Sequence, residues 1–228
     1  MLKILIMKPI IFSILFCASL LANAQYSWTD AVLTMEDGKV KTGQVKLPLE
    51  GNNMSFNFNF QRLKFRSGKK SKAKKIKAQA VKDIVFTINY KEKVNGKRVK
   101  KTKEVTYVPI VIKRKKSGKE TYRFMEEIVK GPLSLYGKTV TGSVNVGMAP
   151  YNPGVTMTHW YNHNQLYFKK GDELPKAFNH ISLSKSFKNR VIEYVKECPT
   201  LVTKLSEKEF KKEDMKEIAE FYNSNCGS

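Results

Sequence analysis

Ile84, Phe86, Ile88 and Tyr90 alternate with Val85, Thr87 and Asn89, and a period of two over seven residues commits a segment to an extended strand with one apolar face. The pattern recurs on both sides. Phe56, Phe58 and Phe60 alternate with Asn57 and Asn59, residues 104–112 are rich in Val, Ile, Thr and Tyr, and residues 119–125 put Tyr122 and Phe124 on one side. Segments 28–35 and 39–47 flank Asp37-Gly38, a pair suited to the left-handed angles of a tight hairpin turn. Asn95-Gly96 and Ser117-Gly118 mark further turns, and Pro109 inside its run predicts an edge strand or a bulge. Strands joined by tight turns make an antiparallel body.

From 131 to 154 the composition changes to Gly, Pro, Ser, Thr and Asn, which predicts a long loop or short strands with tight turns. Strands are expected at 155–161 and 165–168, with Asn162-His163-Asn164 turning the chain between them. After Leu183 the period lengthens. Phe187, Val191, Tyr194 or Val195, and Cys198 are spaced by three and four, Leu201, Val202 and Leu205 continue an apolar face beyond Pro199, and Met215, Ile218, Phe221 and Tyr222 mark a third helix. The fold class read from these patterns is α+β: an antiparallel β-rich body, a curled sheet or partial barrel, with short C-terminal helices. Eight or more short strands fit a barrel as well as a sandwich.

The N-terminus has the order of a secretory signal peptide. Lys3 and Lys8 precede an apolar core at 10–21, and the small-x-small site Ala22-Asn23-Ala24 follows. That core is shorter than the roughly 20 residues that span a bilayer, so cleavage is expected and no transmembrane helix remains after it. A start at Met7 leaves the same core and site. Leu15-Phe16 before Cys17 is a poor context for lipid attachment. The domain organisation expected is a signal peptide at 1–24, a β-rich domain at 25–180 and a helical C-terminal subdomain at 181–228. Export places the chain in the periplasm, at the outer membrane or outside the cell.

Cleavage removes Cys17 and leaves Cys198 and Cys226, an even pair suited to one disulfide in an oxidising compartment. Neither has a His nearby or a second Cys at metal-binding spacing, so the pair reads as a staple.

The formal charge is +22, and its placement says more than its size. Between Lys64 and Lys119 there are 21 Lys or Arg against three acids, Asp83, Glu92 and Glu104. They fall in three clusters at turn signals. Lys69, Lys70, Lys72, Lys74 and Lys75 form the first, Lys97, Arg98, Lys100 and Lys101 belong to the second, and Lys113, Arg114, Lys115 and Lys116 form the third. These are the candidate anion-binding residues. Lysine-rich turns also protect strand edges from pairing with other chains, which is the plainer reading.

The chain carries no G-x-S-x-G, no H-E-x-x-H, no P-loop and no dinucleotide fingerprint. The Gly-rich run 141–147 lacks the Lys that a phosphate loop needs, and Asp37 is better explained by its turn than by an acid pair with Asp30 or Glu36. His159, Trp160, Tyr161 and His163 form one polar aromatic cluster, with His180 as a further imidazole. Two imidazoles on one strand face begin a metal site, but without an acidic third ligand an amphipathic strand is the better account. No catalytic residue, metal or cofactor is expected.

Three sets of residues carry a resemblance. They are Glu126-Glu127-Ile128-Val129-Lys130-Gly131-Pro132-Leu133-Ser134-Leu135-Tyr136, then Leu166-Tyr167-Phe168-Lys169-Lys170-Gly171, and an ending with Phe187, Glu197-Cys198-Pro199, Leu201, Phe210, Asp214, Phe221-Tyr222-Asn223 and Cys226. Together they resemble a group of uncharacterised secreted proteins typical of Bacteroidota. The resemblance implies an envelope or exported setting and a β-rich body with a small helical end, and it brings no substrate or catalytic residue. The basic hairpins are heavier than the group's pattern.

The function expected is therefore a non-enzymatic envelope or secreted binding protein whose basic hairpins contact anionic lipid, glycan or lipopolysaccharide. Nucleic acid is disfavoured by compartment and by the preference for Lys over Arg. The alternative is an envelope-associated hydrolase with a pocket among Trp28, His159, Trp160 and Tyr161.

Overall fold

The structure is a computed structural model that describes residues 28–48, 61–94, 96–113, 118–149, 152–178 and 186–227, with the backbone alone for 139–149 and 152–164. Its strands are β1 (Thr29–Met35), β2 (Val40–Lys46), β3 (Arg62–Arg66), β4 (Lys74–Lys77), β5 (Val81–Val94), β6 (Lys97–Lys113), β7 (Glu120–Val129), β8 (Leu133–Ala149), β9 (Asn152–Lys170) and β10 (Lys176–Ala177). Three helices follow, α1 (Phe187–Tyr194), α2 (Pro199–Ser206) and α3 (Met215–Asn225). The strands form one open antiparallel sheet in the order β10-β9-β8-β7-β6-β5-β1-β2-β3-β4. The expected α+β class with a β-rich body and short C-terminal helices is what the chain adopts, and the sheet is not closed into a barrel.

Contacts divide the described residues into two compact units, one holding 28–48 with 62–105, the other holding 61 with those from 106 onward. In the first, the period-two pattern does what it promised. Ala31, Leu33, Val45, Leu63, Phe65, Ile84 and Phe86 are buried. The registers Ala31↔Phe86, Leu33↔Ile84 and Val45↔Phe65, joined through Thr29↔Val45, put these on one face with Leu63, because directly paired residues project to the same side and alternate residues of a strand share a face. Gly38 and Gly96 have φ of +80°, the left-handed region that a tight hairpin turn requires and that only glycine enters without a Cβ clash. Asp37 accepts hydrogen bonds from the Lys39 backbone and side chain, so the turn explains it.

In the second unit Leu133, Leu135 and Phe168 of β8 and β9 are fully or almost fully buried with Phe178, Val191, Leu201, Leu205, Met215 and Ile218. The helices thus cover one face at the base of the β8–β9 hairpin, around Leu133, Leu135 and Phe168. Pro199 opens α2 and Ser186 caps α1 by accepting from the Asn189 N–H. Cys198 and Cys226 lie at disulfide distance with Cα atoms 5.6 Å apart, tying the start of α2 to the end of α3.

Three expectations are corrected. Residues 133–149 and 152–154 are no loop, since β8 and β9 form one hairpin paired in steady register from Leu133↔Lys170 to Asn145↔Thr158, with register shifts from there to Ala149↔Asn152. Asn162, His163 and Asn164 lie inside β9 opposite Thr141, Val140 and Thr139, so no turn occurs there. Cross-strand pairing over the whole hairpin outweighs the weak strand preference of its Gly and Asn residues. Pro109 lies in an interior strand of the sheet, and the β6–β7 register runs through Pro109↔Phe124 without a shift. The expected strand at 56–60 and the N-terminal segment lie outside the described residues.

Candidate functional site

The first basic cluster occupies the turn after β3 and the edge strand β4. Its neighbours across the strands were not foreseen. Lys64 faces Lys75, Arg62 faces Lys77, and Lys46 on β2 faces Lys64 from the other side. Their directly paired positions place all five on the outer face, opposite the buried Val45, Leu63 and Phe65. Arg62, Lys64, Lys75 and Lys77 are exposed. None of the five has an acidic partner among the described residues. The sequence holds no Asp or Glu between Glu50 and Asp83. Like charges directly opposite one another on a sheet are destabilising, so this arrangement is not one that folding selects for itself.

Beside these cations the same face carries a closed polar network. Asp30 accepts from the Gln44 amide at 2.9 Å, and Gln44 Oε1 accepts from Arg66 Nε at 2.9 Å and from Arg66 Nη2 at 2.7 Å. The Arg66 guanidinium also lies 4.2 Å from the ring centre of Trp28 and donates to the Lys69 carbonyl. This network fixes the base of the β3–β4 turn, with Lys69, Lys70 and Lys72 exposed on it. Lys74 pairs with Phe65 and so belongs to the other side of β4.

The second cluster lies on a two-stranded ribbon. β1 pairs with β5 only as far as Phe86, and beyond it Lys97, Arg98, Lys100 and Lys101 on β6 are exposed. Lys101 forms an ion pair with Glu92, and Thr102 Oγ1 donates to Asn89 Oδ1 at 2.8 Å. The order β5-β1-β2-β3 is antiparallel at each step, so β3 and β5 finish at opposite ends of this unit. The first two clusters therefore do not converge. Of the third, Lys113 is exposed, and Arg114, Lys115 and Lys116 lie outside the described residues.

His159, Trp160, Tyr161 and His163 all fall on β9, opposite Val144, Ser143, Gly142 and Val140, which sets the two histidines on one face of the strand. His180 lies outside the described residues. Among the described residues no three His, Cys, Asp or Glu side chains are grouped to hold a metal, and no helix is long and apolar enough to cross a membrane.

The segments quoted for the resemblance meet at the helical end of the second unit. Asn223 on α3 accepts from the Leu133 N–H at 2.7 Å and donates to the Leu133 carbonyl at 3.1 Å, so its amide binds the start of β8 as a neighbouring strand would. A Cβ on Gly131 would lie 2.4 Å from that amide nitrogen. Lys170 pairs with Glu197, which also accepts from the Tyr222 hydroxyl at 2.7 Å, and the Tyr194 hydroxyl accepts from the Lys170 N–H at 3.1 Å. Each of these residues has a task in locking helices to sheet. Nearby, a cleft of about 430 Å³ is lined by Lys176, Phe178, Arg190, Glu193, Tyr194 and Lys196, and its rim carries both signs of charge.

The lock titrates at both ends of the pH scale. Partial burial raises the Glu197 carboxyl, but the hydrogen bonds from Lys170 and Tyr222 outweigh it and hold the group below the ordinary value. Burial pushes Tyr194 and Tyr222 up to about 12, helped for Tyr194 by the charge of Glu173 and for Tyr222 by its bond to Glu197. A depressed carboxyl contributes stability above its unfolded pKa and loses it as pH falls through the folded one. A raised tyrosine contributes below its unfolded pKa and loses it as pH rises toward the folded one. The denaturant midpoint is therefore expected to be flat between about pH 5 and 9 and to fall on both sides. Tyr222→Phe is expected to flatten part of the alkaline decline; an unchanged decline would remove Tyr222 from this account.

No protein-family model, curated protein or solved structure matches the chain.

Proposed function

We propose that this chain is an exported, non-enzymatic binding protein, held by its basic hairpins to the anionic material of a cell envelope or its surroundings. The observation that carries the reading is the concentration of exposed cations on the β3–β4 hairpin and the β5–β6 ribbon, most of them without an acidic partner among the described residues. A protein that must only remain soluble mixes the two signs of charge, whereas a one-signed field favours a partner of the other sign. Export is supported by the signal-like order of residues 1–24 and by a cysteine pair at disulfide distance, which suits an oxidising compartment. Lysine side chains attract anions without reading their sequence or shape, so attachment and not chemistry is the role that fits.

The mature chain, mixed at low salt with phosphatidylglycerol vesicles, lipopolysaccharide or polygalacturonate, is expected to bind at least one of them. It is expected to ignore phosphatidylcholine vesicles and dextran, and to be released as salt shortens the screening length from about 30 Å at 0.01 M to about 8 Å at 0.15 M. Equal affinity for charged and neutral probes at low salt would overturn the reading.

A further inference from the structure

We infer that the outer face of the β2–β3–β4 segment is a track for a single chain of acidic polysaccharide. This rests on the proposed attachment to anionic material and names the surface and the partner. The cations are arranged in a line. Lys77 and Arg62 face each other at one end of the β3–β4 hairpin, Lys75 and Lys64 follow with Lys46 beside them, and the turn lysines Lys69, Lys70 and Lys72 continue the line at the other end. Successive rows lie about 6.6 Å apart along the strands, and neighbouring strands about 4.8 Å apart across them. The result is a strip one polymer wide, with no Asp or Glu from 51 to 82 to interrupt it.

Edge protection accounts for only part of this strip. Lysines on an edge strand keep it from pairing with another chain, which covers Lys74, Lys75 and Lys77 of β4. It does not account for Arg62 and Lys64 on β3, a strand with a neighbour on each side, placed directly opposite lysines at a cost in stability. A bound polyanion removes that repulsion.

Two other anionic partners suit the face less well. A bilayer is held best where apolar side chains enter it beside the charges. The exposed valines of this face are Val40 on β2, six residues or about 20 Å from Lys46, and Val32 on β1, opposite Thr42 and so four residues or about 13 Å from the Lys46 row at 3.3 Å per residue. Single-stranded nucleic acid is held by rings on which bases stack. Among the described residues, the ring beside this strip, Trp28, is covered by Arg66, and Phe65 is buried on the other side of the sheet. A linear acidic glycan asks for spaced cations and polar neighbours such as Gln44, and both are present.

The test compares the mature chain with two variants that each lose four cations. The track variant is Arg62→Gln, Lys64→Gln, Lys75→Gln and Lys77→Gln; the ribbon variant is Lys97→Gln, Arg98→Gln, Lys100→Gln and Lys103→Gln. Affinity for polygalacturonate is expected to fall about tenfold or more in the track variant and about twofold or less in the ribbon variant, with a shallower salt dependence in the track variant alone. Thermal unfolding provides an independent reading, since removing facing like charges is expected to leave the track variant melting no lower than its parent. Equal losses in the two variants, or a larger loss in the ribbon variant, would overturn the track while leaving attachment to anionic material intact. Tighter binding of the parent to phosphatidylglycerol vesicles or to a DNA fragment than to polygalacturonate would overturn the glycan assignment in the same limited way. Failure of the parent to bind phosphatidylglycerol vesicles, lipopolysaccharide and polygalacturonate alike would instead bring down the proposed function itself.

Discussion

Replacing Phe168 by alanine is expected to lower the free energy of unfolding by about 3 to 5 kcal/mol, measured as a fall in the urea midpoint at constant slope. Phe168 is fully buried on β9 and paired in register with Leu135 of β8. Its ring lies 5.2 Å from that of Phe178, which lies 5.2 Å from Tyr194. The side chain is thus the central contact between the β8–β9 hairpin and the helices that cover it. Alanine there loses the transfer energy of the ring and leaves a cavity that β-sheet hydrogen bonding keeps from collapsing. A loss under about 1 kcal/mol would mean that the helical layer does not depend on this contact.

Opening the Cys198–Cys226 link is expected to have a comparable effect. A bridge across a sequence separation of 28 contributes about 3 to 4 kcal/mol by restricting the unfolded chain. The double replacement Cys198→Ala with Cys226→Ala is therefore expected to melt well below the parent, and a reducing agent is expected to bring the parent down to the level of the variant. Equal melting of parent and variant under oxidising conditions would show that the two sulfurs are not bonded. The buried Cys198 would then act as a small apolar side chain packed against the helices, a role alanine fills at modest cost.

The parts of the fold legible in the sequence were those where one local rule acted alone. Ile84 and Phe86 are buried as their alternation required, Gly38, Gly96 and Gly118 have the positive φ their turns needed, and Phe187 and Val191 fall on α1, while Cys198 lies beyond its end and opens α2. Strands expected at 155–161 and 165–168 do lie within β9, but the continuous β8–β9 hairpin is not legible because Gly137, Gly142 and Gly147 give no local strand preference, and its register is set by pairing with residues far along the chain. The cationic face was half legible. A run such as Lys74-Lys75 shows in any reading of charge, but Arg62, Lys64 and Lys46 are scattered among apolar residues, and only strand pairing brings them together. The absence of acids from 51 to 82 was the signal that would have pointed to them. The Asn223 clamp left no trace of its own, since one asparagine near the end of a helix says nothing of a strand 90 positions earlier.

That clamp also bears on timing. The apolar face formed by Leu133, Leu135 and Phe168 is covered by residues between Val191 and Tyr222, and Asn223 closes the arrangement from the last helix. As the polypeptide emerges from the ribosome, the helical residues that cover that face are made last, and the unit completes itself only after nearly the whole chain has been released. Contacts of such long sequence separation form slowly. The first unit, whose core is complete by residue 105, can close early, whereas the second stays unfinished until synthesis is almost over.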